Sequence, residues 1–194
     1  MTMSLAKAAA LLNNGQVGVI PTDTLMGLVC SADNLDAVNR LYELKSRENK
    51  PGTLIGLDIE QFAGLGIKKR YLTAVEQYWP GPISVIIPCG DHSLTYLHQG
   101  KKTLAIRIPG NEQIRTLLAR TGPLVTTSAN LPGKPPAKNA AEASAYFGDT
   151  IDFYVDALPS MQQLPSTIIQ IVDDAVTVLR QGAVHINQET GEVT

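Results

Sequence analysis

Short apolar runs that stop abruptly at a proline or a hydroxyl residue recur along this chain, with amphipathic segments of helical period between them. Val17-Gly18-Val19-Ile20 stops at Pro21, Leu104-Ala105-Ile106-Arg107-Ile108 stops at Pro109, and Pro123-Leu124-Val125-Thr126-Thr127 runs into Ser128-Ala129-Asn130. Runs this short with such punctuation read as strands, as do Thr53-Leu54-Ile55-Gly56-Leu57 and Ile83-Ser84-Val85-Ile86-Ile87. Leu5, Ala8, Ala9 and Leu12 recur at helical spacing ahead of Asn13-Asn14-Gly15. Leu35, Val38, Leu41 and Tyr42 form one face of a second helix ending at Leu44, and Ile114, Leu117 and Leu118 mark another that begins near Asn111. Residues 71–79 read as a helix stopped by Trp79-Pro80-Gly81-Pro82, and Asn139 with Glu142 resembles a capping box. The last strands are expected at 153–155, 167–172 and 176–179, the final two joined through Asp173-Asp174. Helices and strands alternate early and strands dominate late. That order predicts an α/β domain on a twisted open sheet of mixed parallel and antiparallel strands with flanking helices. A single domain is expected over residues 1–182, with a loose polar tail over 183–194.

Hydrophobic residues make up 44% of the 194 and charged residues 18%, so a sizeable core can form and disorder is excluded as the ground state. A net charge of -2 means that any anionic ligand must meet a local cationic site rather than a general positive field. Cys30 and Cys89 show neither CxxC spacing nor disulfide density, which suits a reducing cytoplasm. His92, His98 and His185 are too scattered to complete a zinc site, and no structural metal is expected. No apolar run reaches membrane-spanning length and the N-terminal residues lack the regions of a signal peptide, so no membrane partner is expected. Neither GxxxxGK[ST] nor GxSxG occurs, and Gly64-Leu65-Gly66 lacks the third glycine of a dinucleotide fingerprint.

What remains is a set of small polar residues and cations at strand ends. Thr22 and Thr24 follow one strand, and Thr126, Ser128 and Asn130 close another. Ligands of open α/β sheets collect in such crevices, where hydroxyls and backbone N–H groups converge on a phosphate or carboxylate. Lys45, Arg47 and Lys50 could add charge suited to a polyphosphate. The plainer alternative is that Lys45 and Arg47 sit in solvent at a helix C-terminus, that Lys68-Lys69-Arg70 is a solvated patch, and that Trp79 fills the core.

Several segments occur in one order: Pro21-Thr22-Asp23-Thr24-Leu25-Met26-Gly27-Leu28, Lys45-Ser46-Arg47, Trp79-Pro80-Gly81-Pro82, Ala105-Ile106-Arg107-Ile108-Pro109, Thr127-Ser128-Ala129-Asn130, Pro165-Ser166-Thr167-Ile168 and Leu179-Arg180-Gln181-Gly182. Together they resemble the YrdC-like threonylcarbamoyl-AMP synthase family, in its single-domain form, from about residue 5 to 182. The resemblance implies an enzyme that joins L-threonine, bicarbonate and ATP into threonylcarbamoyl-AMP and pyrophosphate. The product feeds the N6-threonylcarbamoyl modification of tRNA adenosine 37, with separate proteins performing the transfer. The same resemblance implies an ATP site at Arg47, Lys50, Thr103, Ser128, Asn130, Pro136 and Arg180, with Mg²⁺ on the nucleotide. It implies a threonine site at Thr24, Arg107, Thr126 and Ser166, and catalytic electrostatics from Lys45 and Arg47.

The chain departs from the family pattern in places. Leu25 and Met26 stand in the PT[ED]TVYGL motif, Glu48 follows Arg47, and Pro132 and Pro165 replace a serine and an acid. No histidine lies in the strand at 53–57. Two alternatives therefore stand beside the enzyme. One is an RNA-binding member using Lys68, Lys69, Arg70, Lys101 and Lys102, and the other is a diverged paralogue that binds a nucleotide without making the adenylate.

Overall fold

The computed structural model describes residues 3–46, 50–156, 163–173 and 175–193. The chain runs through α1 (Leu5–Asn13), β1 (Gly18–Pro21), β2 (Met26–Ser31), α2 (Leu35–Leu44), β3 (Thr53–Ile55), α3 (Ile59–Gly64) and α4 (Lys69–Thr73). It continues through β4 (Ile83–Pro88), α5 (Thr95–His98), β5 (Thr103–Arg107), α6 (Glu112–Thr121), β6 (Leu124–Ser128), α7 (Ala140–Phe147), β7 (Phe153–Tyr154), β8 (Thr167–Val172) and β9 (Ala175–Arg180). Side-chain caps start α2, α6 and α7. Asn34, Asn111 and Asn139 each accept a first-turn N–H, from Ala37, from Gln113 and Ile114, and from Glu142. The expected box at α7 is only half formed, because the Glu142 carboxylate accepts from Lys138 N–H instead of returning to Asn139.

The strands form one nine-stranded sheet in the order β7-β1-β2-β6-β3-β5-β4-β8-β9, with parallel and antiparallel pairs mixed. Residues paired across neighbouring strands point to the same face. The ladder Val29↔Thr126, Thr126↔Thr53, Thr53↔Ala105 and Ala105↔Ile86 therefore defines one face, and Arg107 joins it through Ile55. Ser84, Ile168 and Arg180 extend it toward the β9 edge. At one end this face is covered by α1 and α6. Ala8, Leu12, Ile114 and Leu118 bury against Ile20, Val29, Ile55 and Leu124, each large apolar side chain contributing about 1.5–3 kcal/mol. The part of this face that carries Thr126, Arg107, Ser84 and Arg180 lies beyond that cover. The opposite face packs under the other helices, where Val38, Leu41, Phe62 and Leu97 meet Leu28, Leu54, Ile106 and Val85.

Three expectations change. The helix expected over 71–79 breaks after Thr73 and resumes as a 3₁₀ turn at Glu76–Tyr78. Leu72, Val75 and Tyr78 are all buried at intervals of three, which a 3₁₀ path satisfies better than a 3.6-residue helix. Strand β2 was not anticipated, because Met26 to Cys30 is buried on both faces and shows no alternation. The segment after Gly182, expected to be loose, is held at several points. Ala183 N–H donates to Pro165 O at 2.8 Å, Thr167 Oγ1 donates to Val184 O at 2.5 Å, and Ile186 is buried in the core. Trp79 fills the core as expected, its Nε1 donating to Ile83 O at 2.9 Å, and both cysteines are free and buried.

Candidate functional site

Pro21 ends β1, and the next residues turn back on themselves to start β2. Thr22 Oγ1 donates to Leu25 O at 2.7 Å and accepts from the N–H groups of Thr24 and Leu25, each at 3.2 Å. Thr22 Oγ1 also lies 3.0 Å from Thr24 Oγ1. Thr24 Oγ1 accepts from Arg107 Nη1 at 2.9 Å, which leaves it one lone pair.

Arg107, at the end of β5, is 3% exposed. Its Nη1 lies 3.0 Å from Asp23 Oδ1, so one corner of the guanidinium is pinned by Asp23 and Thr24. Its Nε is buried without a hydrogen-bond partner. Burial pulls the guanidinium below its ordinary pKa while the Asp23 charge opposes that shift, and an arginine keeps its proton regardless. The result is a buried cation whose Nε finds no partner within the protein.

Across the sheet, Ser166 precedes β8. Its carbonyl accepts from Arg180 Nε at 3.1 Å and Nη2 at 2.8 Å, and its Oγ accepts from Nη2 at 3.0 Å. Behind it, Ser84 Oγ lies 2.9 Å from Ser166 Oγ. Gly182 presses on this turn so closely that a Cβ there would stand 2.2 Å from Pro165 O.

A cavity of about 590 Å³ opens over this face. Thr24, Arg107, Thr126 and Ser166 all line it, and so do Ser128, Pro136 and Arg180. Thr103 lies on the same face of β5, one pleat beyond Ala105, but does not line the cavity. Beside it is an open depression of about 870 Å³ lined by Lys45, Lys50, Asn130 and Pro132, and Ser128 belongs to both. Arg47 and Glu48 lie outside the described residues.

Lys45 does not behave as a solvated helix-end cation. It is 4% exposed, and its Nζ donates to Ser128 O and Asn130 Oδ1, each at 2.8 Å, and also to Asn130 O. Those oxygens match its three ammonium hydrogens. Lys45 thus holds the loop after β6 in shape and places its charge behind it. Ser128 Oγ completes the knot by donating to Asn130 Oδ1 at 2.7 Å. The surface basic residues are partly engaged: Lys69 pairs with Glu60, and Arg70 stacks 4.8 Å over the Tyr71 ring. Met26 is buried in the core while reaching the cavity wall.

Asp23 and Ser84 were not singled out from the sequence. The signal for Asp23 was an acid between two threonines at a strand end; a serine inside an apolar strand gave none for Ser84. Among the described residues no cluster of three acid, histidine or cysteine side chains could hold a metal ion, and no helix is long and apolar enough to cross a membrane. The site presents fixed positive charge and hydroxyls rather than a nucleophile, which suits the binding and orientation of anionic groups.

Residues 10–182 match the family model Sua5/YciO/YrdC, described as telomere recombination. The chain is 35% identical over 171 residues to the threonylcarbamoyl-AMP synthase of Idiomarina loihiensis, covering 83% of this chain and 91% of that protein. It is 35% identical over 189 residues to that of Klebsiella pneumoniae, covering 92% and 96%. For the Bacillus subtilis synthase the values are 33% over 185 residues and 93% of this chain, which spans about half, 54%, of that longer protein. The P. abyssi Sua5 structure complexed with L-threonine superposes with a TM-score of 0.80 at 26% identity, covering 93% of this chain and 54% of that one. E. coli YciO shares the fold, with a TM-score of 0.77 at 23% identity over 92% of this chain and 89% of that one. On this sheet, this site and these matches, the chain belongs to the Sua5/YciO/YrdC family.

Proposed function

We propose that this chain is an L-threonylcarbamoyladenylate synthase. It consumes L-threonine, bicarbonate and ATP and releases threonylcarbamoyl-AMP, pyrophosphate and water, supplying the cytoplasmic proteins that transfer the threonylcarbamoyl group to tRNA adenosine 37. The observation that carries this reading is the buried Arg107 guanidinium on the wall of a cavity that Thr24, Thr126 and Ser166 also line. A carboxylate is the natural partner for that cation, because a guanidinium matches its charge and its acceptor oxygens. An amino acid seated there puts its amine near Thr24, whose remaining lone pair accepts an N–H.

The amine attacks the carbon of bicarbonate-derived CO2 to give a carbamate and loses a proton. A carbamate oxygen then attacks the α-phosphorus of ATP, and the bond to pyrophosphate breaks. The ATP end is assigned to Ser128, Asn130, Pro136 and Arg180 beside the loop that Lys45 holds, with Arg47 and Lys50 meeting the phosphates and Thr103 at the periphery. Mg²⁺ arrives on the phosphates as part of the substrate. The chemistry is positioning and charge stabilisation, and no residue becomes covalently attached.

Support also comes from the Idiomarina and Klebsiella relatives, which carry the synthase name over nearly their whole length. The test is product analysis. Purified protein with ATP and bicarbonate is offered threonine, serine, valine or no amino acid, and the nucleotides are resolved by mass. A new adenylate with threonine alone is expected. No new nucleotide with any amino acid would sink the proposal in favour of the RNA-binding or non-synthetic alternatives. Arg47→Glu should abolish pyrophosphate release with the fold intact, and unchanged release would remove Arg47 from the phosphate role.

A further inference from the structure

We infer that Ser84, a residue of β4 that does not line the cavity, is a positioning residue that makes Ser166 a hydrogen-bond donor to the amino-acid substrate; this rests on the proposed threonine site. Ser84 is fully buried, and its Oγ has a single hydrogen-bond neighbour among the described residues, Ser166 Oγ at 2.9 Å. A hydroxyl carries one hydrogen and two lone pairs. Were Ser166 the donor in this contact, the Ser84 hydrogen would be left buried with no acceptor, an arrangement proteins avoid. Ser84 therefore donates to Ser166.

Ser166 Oγ also accepts from Arg180 Nη2 at 3.0 Å. Both its lone pairs are then occupied, one by Ser84 and one by Arg180. What Ser166 retains is its own hydrogen, on the wall of the cavity. It can only donate, and its match is a substrate oxygen: the carboxylate, the side-chain hydroxyl or the carbamate. Thr24 is the complement. Its Oγ1 accepts from Arg107 and retains a second lone pair, so it can accept from a substrate N–H. A donor just ahead of β8 and an acceptor on the β1–β2 turn give the cavity a polarity that fixes which way an amino acid lies in it.

Threonine and ATP affinities of the full chain, by titration calorimetry and by KM, test this with three variants. Ser84→Ala removes the donor, Ser84→Cys keeps the shape with a weak donor, and Ser84→Thr keeps the hydroxyl. For Ala and Cys the threonine Kd and KM should rise about fivefold to tenfold, with the ATP KM within about twofold and melting little changed. Thr should restore wild-type threonine affinity. Unchanged threonine affinity in Ser84→Ala, wild-type behaviour in Ser84→Cys, or equal losses for both substrates would overturn the inference while leaving the synthase proposal standing. A wild-type chain that binds no threonine would overturn both.

Discussion

A guanidinium kept out of water needs a counter-charge, and at Arg107 that is Asp23, 10% exposed and 3.0 Å away. Removing one partner of such a pair strands the other, which typically costs about 3–5 kcal/mol. Asp23→Asn should therefore lower unfolding stability by roughly that amount in urea, and a loss under about 1 kcal/mol would show that the pair is wet in solution. Arg107→Lys asks a different question. It keeps the charge but loses the planar fork, so one charged hydrogen bond to the carboxylate goes with it, about 1.5–3 kcal/mol. The kcat/KM for threonine should fall roughly tenfold to a hundredfold while the ATP KM stays near wild type. Equal losses for both substrates would place Arg107 outside the amino-acid subsite.

The elements show why part of this was legible in the sequence and part was not. Strands ended by proline or hydroxyls, and helices opened by Asn111 and Asn139, announce themselves locally, because punctuation and capping act within a few residues. Lys45 could not. Its position after α2 says dipole and solvent, yet the oxygens that hold it belong to Ser128 and Asn130, which lie 83 and 85 residues later and reach it only once β6 has joined the sheet. Arg180 is exposed at the end of β9, and its bond to the carbonyl of Ser166, 14 residues earlier, likewise has no local signal. The polar composition of the tail hides one buried Ile186 and the bonds from Thr167. Gly182 makes the coupling of these elements testable. With Pro165 O and Ser166 in the way of any Cβ, Gly182→Ala must push the Ser166 turn aside, at a cost of about 1–3 kcal/mol. Threonine turnover should fall much further than stability does, and a variant with wild-type kcat/KM would show that the turn tolerates the shift.

Across the whole molecule, the sheet carries on one face both a packed half and an open half. The helices α1 and α6 cover Ile20, Val29, Ile55 and Leu124, and beyond their edge the same face continues as Thr126, Arg107 and Arg180 along the cavity. Thr24 on the first hairpin, Arg107 on β5 and Thr126 on β6 meet there although the chain separates them widely, so the cavity exists only when the sheet is closed. The unfolded chain then has no site, and ligand binding must add directly to folding stability. At a threonine concentration of about 100 times Kd the gain is about 2.7 kcal/mol. For a domain of this length about 2–4 °C accompanies each kcal/mol, so Tm should rise by roughly 5–10 °C. ATP at a matched multiple of its own Kd should give a comparable rise. The two shifts should separate genetically: Arg107→Lys, held at the threonine concentration that saturates the wild type, should lose a large share of the threonine shift and keep the ATP shift. If threonine raises Tm equally in both proteins, it binds elsewhere, and the open half of the sheet face is not the amino-acid site.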